Sequence, residues 1–431
     1  MTMHRRDLLL AGGMSLLTGL RVPGLGAASR RPRPQRQGTP QARLLEALQK
    51  NRLPITMSNG PAGRGWDWLV QQARTARFTL IGEEHGVAET SQFTAALFNA
   101  LRGSGYSRMA IELSPIIAED IEAAARRHGF QGVLDFFALP DTWSPGYVRE
   151  EAQFIASVVK AAPKGERVLW GLDREIFSDH YLVARLAPRV PRRARAPFAR
   201  LEEASTGSWK RRQKDPGSEP PFLFAQQDPA IVSAVRAAWP NPNRESDLIL
   251  RTLEESLAIN TVGQTGSTWE YSDRRAQWMR NTLAERLREE RGRTPPPKVL
   301  MKAGANHMIR GANYFDTFDV GSMPDEIAAL DGGRAFHIIV LPGPGSRQAV
   351  LGPGRSFIAV SSDEYDELKA GDQRLTRVLS NANASGHEVI DFRPLRTLAM
   401  RGLESCNADV VKTIHGYDAA VIWKGARASS A

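Results

Sequence analysis

The sequence has a single cysteine, Cys406, among its 431 residues, so an internal disulfide is excluded. After residue 28 it has no apolar run long enough to span a bilayer, and it has no internal repeat. It also has no Gly-x-Ser-x-Gly motif, which argues against a serine hydrolase with a nucleophile elbow. No aromatic ladder or known nucleic-acid motif accompanies its basic residues. We therefore expect no transmembrane segment in the mature chain and no nucleic-acid partner.

Residues 1–28 have the pattern of an export signal peptide. A basic start that contains Arg5 and Arg6 precedes an apolar run from Leu8 to Leu20, and small residues follow at 26–28. The paired arginines favour the twin-arginine (Tat) route, in which a bacterial protein crosses the membrane already folded. An uncleaved anchor is disfavoured because glycines interrupt the short apolar run. We therefore expect the protein in the periplasm or outside the cell.

The chain as a whole has the composition of a globular protein, with 42% hydrophobic and 24% charged residues. Its formal net charge of +10 is concentrated in two stretches. Residues 29–45, which include the proline-rich run from Arg30 to Arg36, are interpreted as a disordered basic linker. A second basic cluster lies between Arg185 and Lys214. It fits either the binding of an acidic partner or a solvated face, and the solvated face is the simpler interpretation.

Strand-like apolar runs alternate with helical ones along residues 46–431, which predicts an α/β fold. We expect a mostly parallel central sheet with helices on both faces. Residues 176–245 interrupt the alternation with prolines and charge clusters, so they are interpreted as a mainly helical or irregular insertion in a single domain. The predicted strands are residues 78–85, 108–113, 167–173, 298–307 and 335–341, with weaker candidates at 388–392 and 419–423, and the predicted helices lie near 40–50, 89–102, 116–128, 148–161 and 271–290.

The apolar run that begins at Phe78 ends in two carboxylates and an imidazole. In a strand, alternate side chains share a face, so Glu83 and His85 are expected to point to one side and Glu84 to the other. A helix is predicted directly afterwards, which makes the segment a strand, a tight turn and a helix. Ligands of open α/β sheets bind beyond the carboxyl ends of the strands. Glu83 and His85 are therefore a candidate catalytic pair.

Three further predicted strands end in polar side chains. A carboxylate at the end of a core strand is unfavourable unless it is paired, hydrogen-bonded or exposed in a cleft, so the shared pattern predicts one polar cleft. Taken singly, each side chain also has a structural explanation, such as a helix cap or an ion pair. The side chains are Glu112, Asp173, Glu175, Asn306 and His307.

The helix predicted at 271–290 supplies a cation. Its apolar stripe begins at Ala276 and Met279, which places Arg275 at the inner edge of the stripe and Arg274 toward water. An inward guanidinium is suited either to stabilise a developing oxyanion or to bridge neighbouring carboxylates.

Together these motifs resemble the superfamily that contains erythromycin esterases, ChaN-type haem-binding lipoproteins, TraB proteins and Tiki metalloproteases. The resemblance rests on two Gly-x-x-His motifs that end at His85 and His307, with the strand-end Glu112 between them. The Arg-x-x-x-Met segment that starts at Arg275 also lies between the two motifs, in the expected order. The segment 417–423 looks like the last strand of erythromycin esterase-like proteins. The resemblance covers about residues 69–424, apart from the insertion.

Each branch of this superfamily implies a different chemistry for the cleft. In the esterase branch, Glu83 and His85 would activate a water without any cofactor, while Glu112, Arg275 and His307 would position the substrate or its charge. In the Tiki branch, His85, Glu112 and His307 would hold a divalent metal ion. In the ChaN branch the cleft would bind haem or iron and perform no reaction.

From the residues and the resemblance we predict an exported hydrolase that attacks an ester or amide in a small-molecule or peptide substrate. The alternatives are a periplasmic haem-, iron- or metal-binding protein of ChaN type and a metal-dependent protease of Tiki type. The residues expected to contact the substrate are Glu84, Asp173, Glu175 and Asn306.

Overall fold

The computed structural model describes residues 40–144, 146–214, 221–226, 228–343, 346–349, 358–361, 386–401 and 408–430, all within the unit Gly38–Ala431. The export signal predicted at residues 1–28 lies outside the described residues. The predicted linker at 29–45 is wrong at its end, because a helix already begins at Pro40. Leu44 and Leu48 lie one helical turn apart on this helix and are buried in the core, which stabilises it.

The central sheet is mostly parallel, as predicted. In chain order the strands are β1 (Arg52–Pro54), β2 (Phe78–Glu83), β3 (Tyr106–Ile111), β4 (Leu169–Gly171), β5 (Lys298–Gly304), β6 (Ala335–Pro342), β7 (Ser346–Ala349), β8 (Ile358–Ser361), β9 (Glu388–Asp391) and β10 (Ala419–Trp423). Eight of them form the sheet in the order β1-β9-β10-β6-β2-β5-β3-β4, and β7 pairs with β8 separately. Neighbouring strands from β10 to β4 are parallel, whereas β9 is antiparallel to both of its neighbours.

Helices cover both faces of the sheet, which confirms the predicted α/β fold. Along β2, Phe78 and Leu80 pack into one core cluster and Ile81 into the other, because alternate side chains of a strand point to opposite faces. The helices are α1 (Pro40–Lys50), α2 (Arg64–Thr75), α3 (Ala88–Leu101), α4 (Pro115–Phe137), α5 (Arg149–Ala161), α6 (Asp179–Leu186), α7 (Arg195–Lys214), α8 (Phe222–Ala225), α9 (Ala230–Ala237), α10 (Arg244–Thr265), α11 (Thr268–Glu289), α12 (Ala305–Met308), α13 (Met323–Ala329), α14 (Arg396–Arg401) and α15 (Ala408–Gly416).

Five predicted strands (78–85, 108–113, 167–173, 298–307 and 388–392) end one to three residues earlier than the sequence pattern indicated, and two of these shifts move a candidate histidine out of its strand. β2 stops at Glu83, and His85 lies in the turn that follows, where Gly86 has a φ of 84°. β5 stops at Gly304, and His307 lies in the short helix α12. Both strands end at the same level because Glu83 and Gly304 are the last residues that pair in register. The candidate histidines therefore lie just beyond the sheet, and Glu83 is the last residue of β2.

Within the predicted insertion, the described residues form helices α6 to α9 and no strand. Part of its basic cluster is paired, since Arg185 contacts both Asp120 and Glu245. Other members of the cluster are exposed to solvent: Arg192, Arg193, Arg195 and Arg200. In the part of the chain that the structure describes, no helix has both the length and the apolar character needed to cross a bilayer.

Gly82 allows α12 to pack closely against the end of β2. A Cβ atom at this position would lie 2.5 Å from the Tyr417 hydroxyl and 3.0 Å from Cα of Ala305. We therefore expect Gly82→Ala to lower the free energy of unfolding by about 1–3 kcal/mol, because overpacking forces the backbone to shift. Urea unfolding measures the change. Gly103→Ala is the matched control and should be close to neutral, since a Cβ there meets no atom within 4 Å.

Candidate active site

The carboxyl ends of four adjacent parallel strands bring the predicted catalytic residues together. Glu83 ends β2 beside Gly304 at the end of β5. Glu112 directly follows β3, and Asp173 follows β4, which pairs with β3. His307 lies in α12, immediately after β5. Residues that are more than 200 positions apart in the sequence thus meet at one edge of the sheet.

His85 is hydrogen-bonded to Glu83 at the end of β2. Its Nδ1 lies 3.0 Å from Oε1 of Glu83, and its Nε2 lies 3.5 Å from Oε2 of Glu112. The His85 side chain is 44% exposed, whereas that of Glu83 is only 7% exposed. The imidazole is therefore accessible from solvent, whereas Glu83 is buried. When the ring is neutral, a proton on Nδ1 satisfies Glu83 and leaves Nε2 free to accept another proton.

Glu112 lies at the centre of the cluster. Its Oε2 accepts the backbone N–H of Gly304 at 2.7 Å, and its Oε1 accepts Nη2 of Arg275 at 2.7 Å. Its Oε1 also lies 3.4 Å from Nε2 of His307. Both histidines therefore face the same carboxylate from opposite oxygens.

Arg275 lies against this carboxylate from α11. A capping box formed by Ser267 and Glu270 sets the start of the helix, which fixes the side that each later residue faces. Arg275 points inward and donates to both oxygens of Asp173, at 2.9 and 2.6 Å. Arg274 points outward and contacts Glu255 at 3.1 Å. The bidentate bond between Arg275 and Asp173 holds the Arg275 guanidinium in one orientation.

His307 is oriented by a second carboxylate. Its Nδ1 lies 2.8 Å from Oδ2 of Asp319, whose Oδ1 accepts the backbone N–H of Val320 at 2.6 Å. Both His307 and Asp319 are buried. The site therefore contains two histidine–carboxylate pairs, one accessible and one buried, on either side of Glu112.

The negative charges of the cluster favour protonated histidines. Burial lowers the pKa of His307, but Asp319 outweighs burial and the pKa is raised to about 9. Burial also lowers the pKa of His85, yet the charges of Glu112 and Glu83 raise it above its ordinary value of 6.5. His307 is therefore a cation at neutral pH, and the raised pKa of His85 favours its protonated form as well.

The acids of the cluster stay ionised. Burial raises the pKa of Glu112, but the two neighbouring histidines and Arg275 hold it well below 4.5. Burial likewise raises the pKa of Glu83, and the charge of Lys302 together with His85 reverses that effect. Neither carboxylate is a strong base, so His85 is the better acceptor for a proton from water.

Most of these groups line a pocket of about 270 Å³, whereas the buried pair His307 and Asp319 lies outside its lining. One wall is aromatic, with Trp143 packed edge-on against Phe177 at 4.4 Å and Phe137 stacked on Tyr147 at 4.1 Å. The rest of the lining includes the charged residues Glu83, His85, Glu112, Asp173, Arg275 and Lys302. The pocket therefore offers an apolar surface to one part of a substrate and the catalytic groups to the other.

The four residues predicted to contact the substrate lie in different surroundings. Asp173 lines the pocket but is engaged by Arg275. Glu175 lines the pocket, and its Oε1 accepts the backbone N–H groups of residues 176–178 in the turn before α6. Asn306 accepts the backbone N–H of Tyr314 at 3.1 Å and holds a loop. Glu84 is half-buried and lies outside the pocket wall.

Sequence reasoning missed Lys302, Glu151 and Asp319. Lys302 lies inside a predicted strand, where its charge was the available signal, and its Nζ lies 2.6 Å from Oε1 of Glu83. Glu151 lies near the start of α5 and contacts the same ammonium group. Asp319 follows α12 in an irregular loop, so no fixed spacing relates it to His307.

The residues present do not fit a metal ion or a haem. No group of three or more His, Cys, Asp or Glu among the described residues is arranged to hold a metal ion. The cause is visible at Glu112, because both of its oxygens already accept hydrogen bonds, one of them from Arg275. The pocket volume of about 270 Å³ lies below the usual range for sites that bind drug-sized ligands. The pocket is therefore too small to enclose a porphyrin.

Three solved structures share this fold. A succinoglycan biosynthesis protein aligns with a TM-score of 0.62 at 12% identity and covers 90% of this chain and 98% of its own. A histidine-to-asparagine mutant of the erythromycin esterase EreC, in its open conformation, aligns with a TM-score of 0.58 at 14% identity over 88% of this chain and 98% of its own. A Bacillus cereus protein aligns with a TM-score of 0.57 at 13% identity over 90% of this chain and 98% of its own.

The fold expected from the resemblance is therefore confirmed, and identities this low show the fold alone. Haem-bound ChaN of Campylobacter jejuni covers 72% of this chain, but its TM-score of 0.31 is too low to support an argument. No protein-family model matches the sequence, and no curated protein matches it.

Proposed function

We propose that this protein is an exported hydrolase that attacks an ester or amide with a water activated by His85 and Glu83. The observation that carries the proposal is the orientation of His85, whose Nδ1 bonds Glu83 while the half-exposed ring lines the pocket. Export is supported by the signal-like sequence of residues 1–28. The shared fold with an erythromycin esterase is consistent with this chemistry.

The reaction proceeds by direct attack of water on the carbonyl carbon. Nε2 of His85 removes a proton from the water as the water oxygen bonds to the carbon, and Glu83 stabilises the imidazolium that forms. The carbonyl oxygen gains the negative charge, which is stabilised by Arg275 in the pocket lining and, at longer range, by the charge of the buried His307. Collapse of the tetrahedral intermediate breaks the bond to the leaving group. The imidazolium of His85 then returns its proton to the leaving oxygen or nitrogen.

Neither serine near the site competes as a nucleophile. The Ser114 hydroxyl donates to Glu175 at 2.7 Å, and the Ser272 hydroxyl lies 3.1 Å from that of Thr317. Among the residues that the structure describes, no histidine contacts either hydroxyl, so neither serine has an adjacent imidazole base to activate it. Water is therefore the nucleophile that the geometry favours.

The pH dependence of kcat/KM is expected to be bell-shaped. Activity should rise with pH as His85 loses its proton, at a value above 6.5, and fall as His307 loses its positive charge near pH 9. The pKa values obtained from these two limbs belong to the coupled cluster of charged groups and not to isolated side chains. The measurement is kcat/KM for an ester substrate from about pH 5 to about pH 10. In His307→Gln the alkaline limb should disappear, and an unchanged alkaline limb would show that His307 does not supply the charge.

A panel of nitrophenyl esters and amides with small apolar and aromatic acyl groups tests the activity itself. We expect ester hydrolysis above the buffer rate, with a preference for acyl groups that fit the aromatic wall. The amides should be slower, because an amine is a poorer leaving group. Absence of turnover on the whole panel by the folded protein would contradict the proposal.

A further inference from the structure

A lysine is buried beside the candidate catalytic pair. Lys302 lies on β5, in register with Ile81 of β2, and its side chain is only 5% exposed. Its Nζ lies 2.6 Å from Oε1 of Glu83 and 2.5 Å from Oε1 of Glu151. The ammonium group also lies 5.7 Å from the centre of the Phe154 ring. One cation is thus enclosed by two carboxylates and an aromatic ring.

A central strand is a costly place for such a group. Lysine is almost never fully buried unless it is paired, and the adjacent strand positions in this chain are the apolar Met301 and Ala303. An apolar residue would complete this strand with less loss of hydration. The lysine is therefore explained by what it contacts and not by the packing of the sheet.

The Glu83 oxygen that Lys302 contacts is the one that is also bonded to His85. Oε1 of Glu83 accepts both Nζ of Lys302 and Nδ1 of His85, at 2.6 and 3.0 Å. Lys302 therefore fixes the oxygen that orients the imidazole. Glu151 holds the other side of the ammonium group, and Ser91 donates to the same Glu151 oxygen at 2.7 Å. The chain of contacts runs from Ser91 through Glu151, Lys302 and Glu83 to His85.

We propose that Lys302 is the positioning residue of the His85–Glu83 pair. By holding Glu83 as a carboxylate with Oε1 against the ring, Lys302 keeps the proton of neutral His85 on Nδ1, although the Glu112 carboxylate lies 3.5 Å from Nε2 and competes for that proton. Without this cation, Glu83 lies buried near Glu112 and Glu151, and like charges this close favour a protonated carboxyl group. A protonated Glu83 no longer requires a proton on Nδ1. The role in turnover rests on the proposed hydrolase function.

The competing explanation is that Lys302 only balances the charge of Glu151. Two variants separate the explanations. Lys302→Met removes the cation and leaves two buried carboxylates, whereas Lys302→Met with Glu151→Gln removes one charge of each sign. The double variant has the same net charge as the wild type, so it is the one expected to fold. The double variant should keep the wild-type tautomer of His85 and the wild-type kcat only if charge balance is the whole role of Lys302.

The first readout is the tautomer of His85 from nitrogen NMR of the full-length protein. The chain has 8 histidines, and the His85 signals are those missing from His85→Asn. We expect a proton on Nδ1 in the wild type and a mixture of both tautomers in the double variant. An unchanged Nδ1 tautomer in the double variant would overturn the proposal. This readout needs no substrate, so it decides the positioning role even if the ester panel shows no turnover.

The second readout is the kinetics of ester hydrolysis. We expect kcat of the double variant to fall roughly 10²-fold, the lower end of what a general base contributes, with KM within about threefold of the wild type. Glu151→Gln alone should retain most of kcat, because Lys302 still bonds Glu83. A double variant with the wild-type kcat would overturn the proposal and assign Lys302 to charge balance alone.

Discussion

His85→Asn is expected to lower kcat/KM for ester hydrolysis by roughly 10²- to 10⁴-fold, the usual contribution of a general base. Asparagine keeps a similar size and a hydrogen bond to Glu83, but it cannot take a proton from water. Because the side chain is 44% exposed and lies in a turn beyond β2, the free energy of unfolding should change by less than about 1 kcal/mol. Initial rates on the best ester of the panel, with urea unfolding of the same sample, measure both effects.

His128→Asn is the matched control for this substitution. His128 is exposed on α4 and lies outside the pocket wall. The control should keep the wild-type kcat/KM. Equal activity of His85→Asn and His128→Asn would remove His85 from the mechanism.

Arg275→Met is expected to cause the largest loss of stability, about 3–5 kcal/mol, which is the usual cost of removing one partner from a buried ion pair. The guanidinium donates to both oxygens of Asp173 and to Glu112, and its side chain is 17% exposed. Methionine fills most of the volume but leaves two carboxylates in the cleft without their cation. Urea unfolding at neutral pH measures the loss, and turnover should fall as well because the oxyanion loses a positive charge.

Arg274→Met is the control on the next residue of the same helix. Arg274 is 43% exposed and pairs with Glu255 at the surface, so its loss should cost less than about 1 kcal/mol. The difference in the free energy of unfolding between the wild type and Arg275→Met should become smaller at acidic pH. In the wild type, the lowered pKa values of Asp173 and Glu112 give stability that is lost as pH falls through them. Equal losses for both arginine variants would contradict the central role of Arg275.

The positions of the main site residues follow from local sequence patterns. The apolar run of β2 predicts a strand whose polar end carries Glu83, and the 3.6-residue period of α11 separates Arg275 from Arg274. The parallel sheet then brings strand ends together, so Glu112 and Asp173 follow without knowledge of any contact. These inferences use periods of two to four residues and one rule of sheet architecture.

The missed residues depend on contacts between distant segments. Lys302 lies between apolar residues along β5, and its burial is explained by its contacts with Glu83 on β2 and Glu151 on α5, which lie far from it in the sequence. Asp319 reaches His307 through an irregular loop, which has no period to follow. His85 itself was expected within the strand, but β2 ends at Glu83 because the register with β5 ends there.

The predicted roles of Glu175 and Asn306 show a different limit. Both are polar and follow core strands, so the pattern selected them together with the site residues. In the structure Glu175 accepts backbone N–H groups in the turn before α6 while also lining the pocket, and Asn306 accepts the backbone N–H of Tyr314. A strand-end polar residue can serve the backbone or a ligand, and sequence alone does not distinguish the two uses.

Direct attack of water is the central claim, and a single turnover in water enriched in heavy oxygen tests it most directly. Enzyme in excess over ester is quenched rapidly, and the protein and the acid product are weighed by mass spectrometry. Attack by the water held at His85 predicts one heavy oxygen in the acid product and no added mass on the protein. An acylated protein, or an acid product without heavy oxygen, would show that a side chain attacks first and would contradict the mechanism.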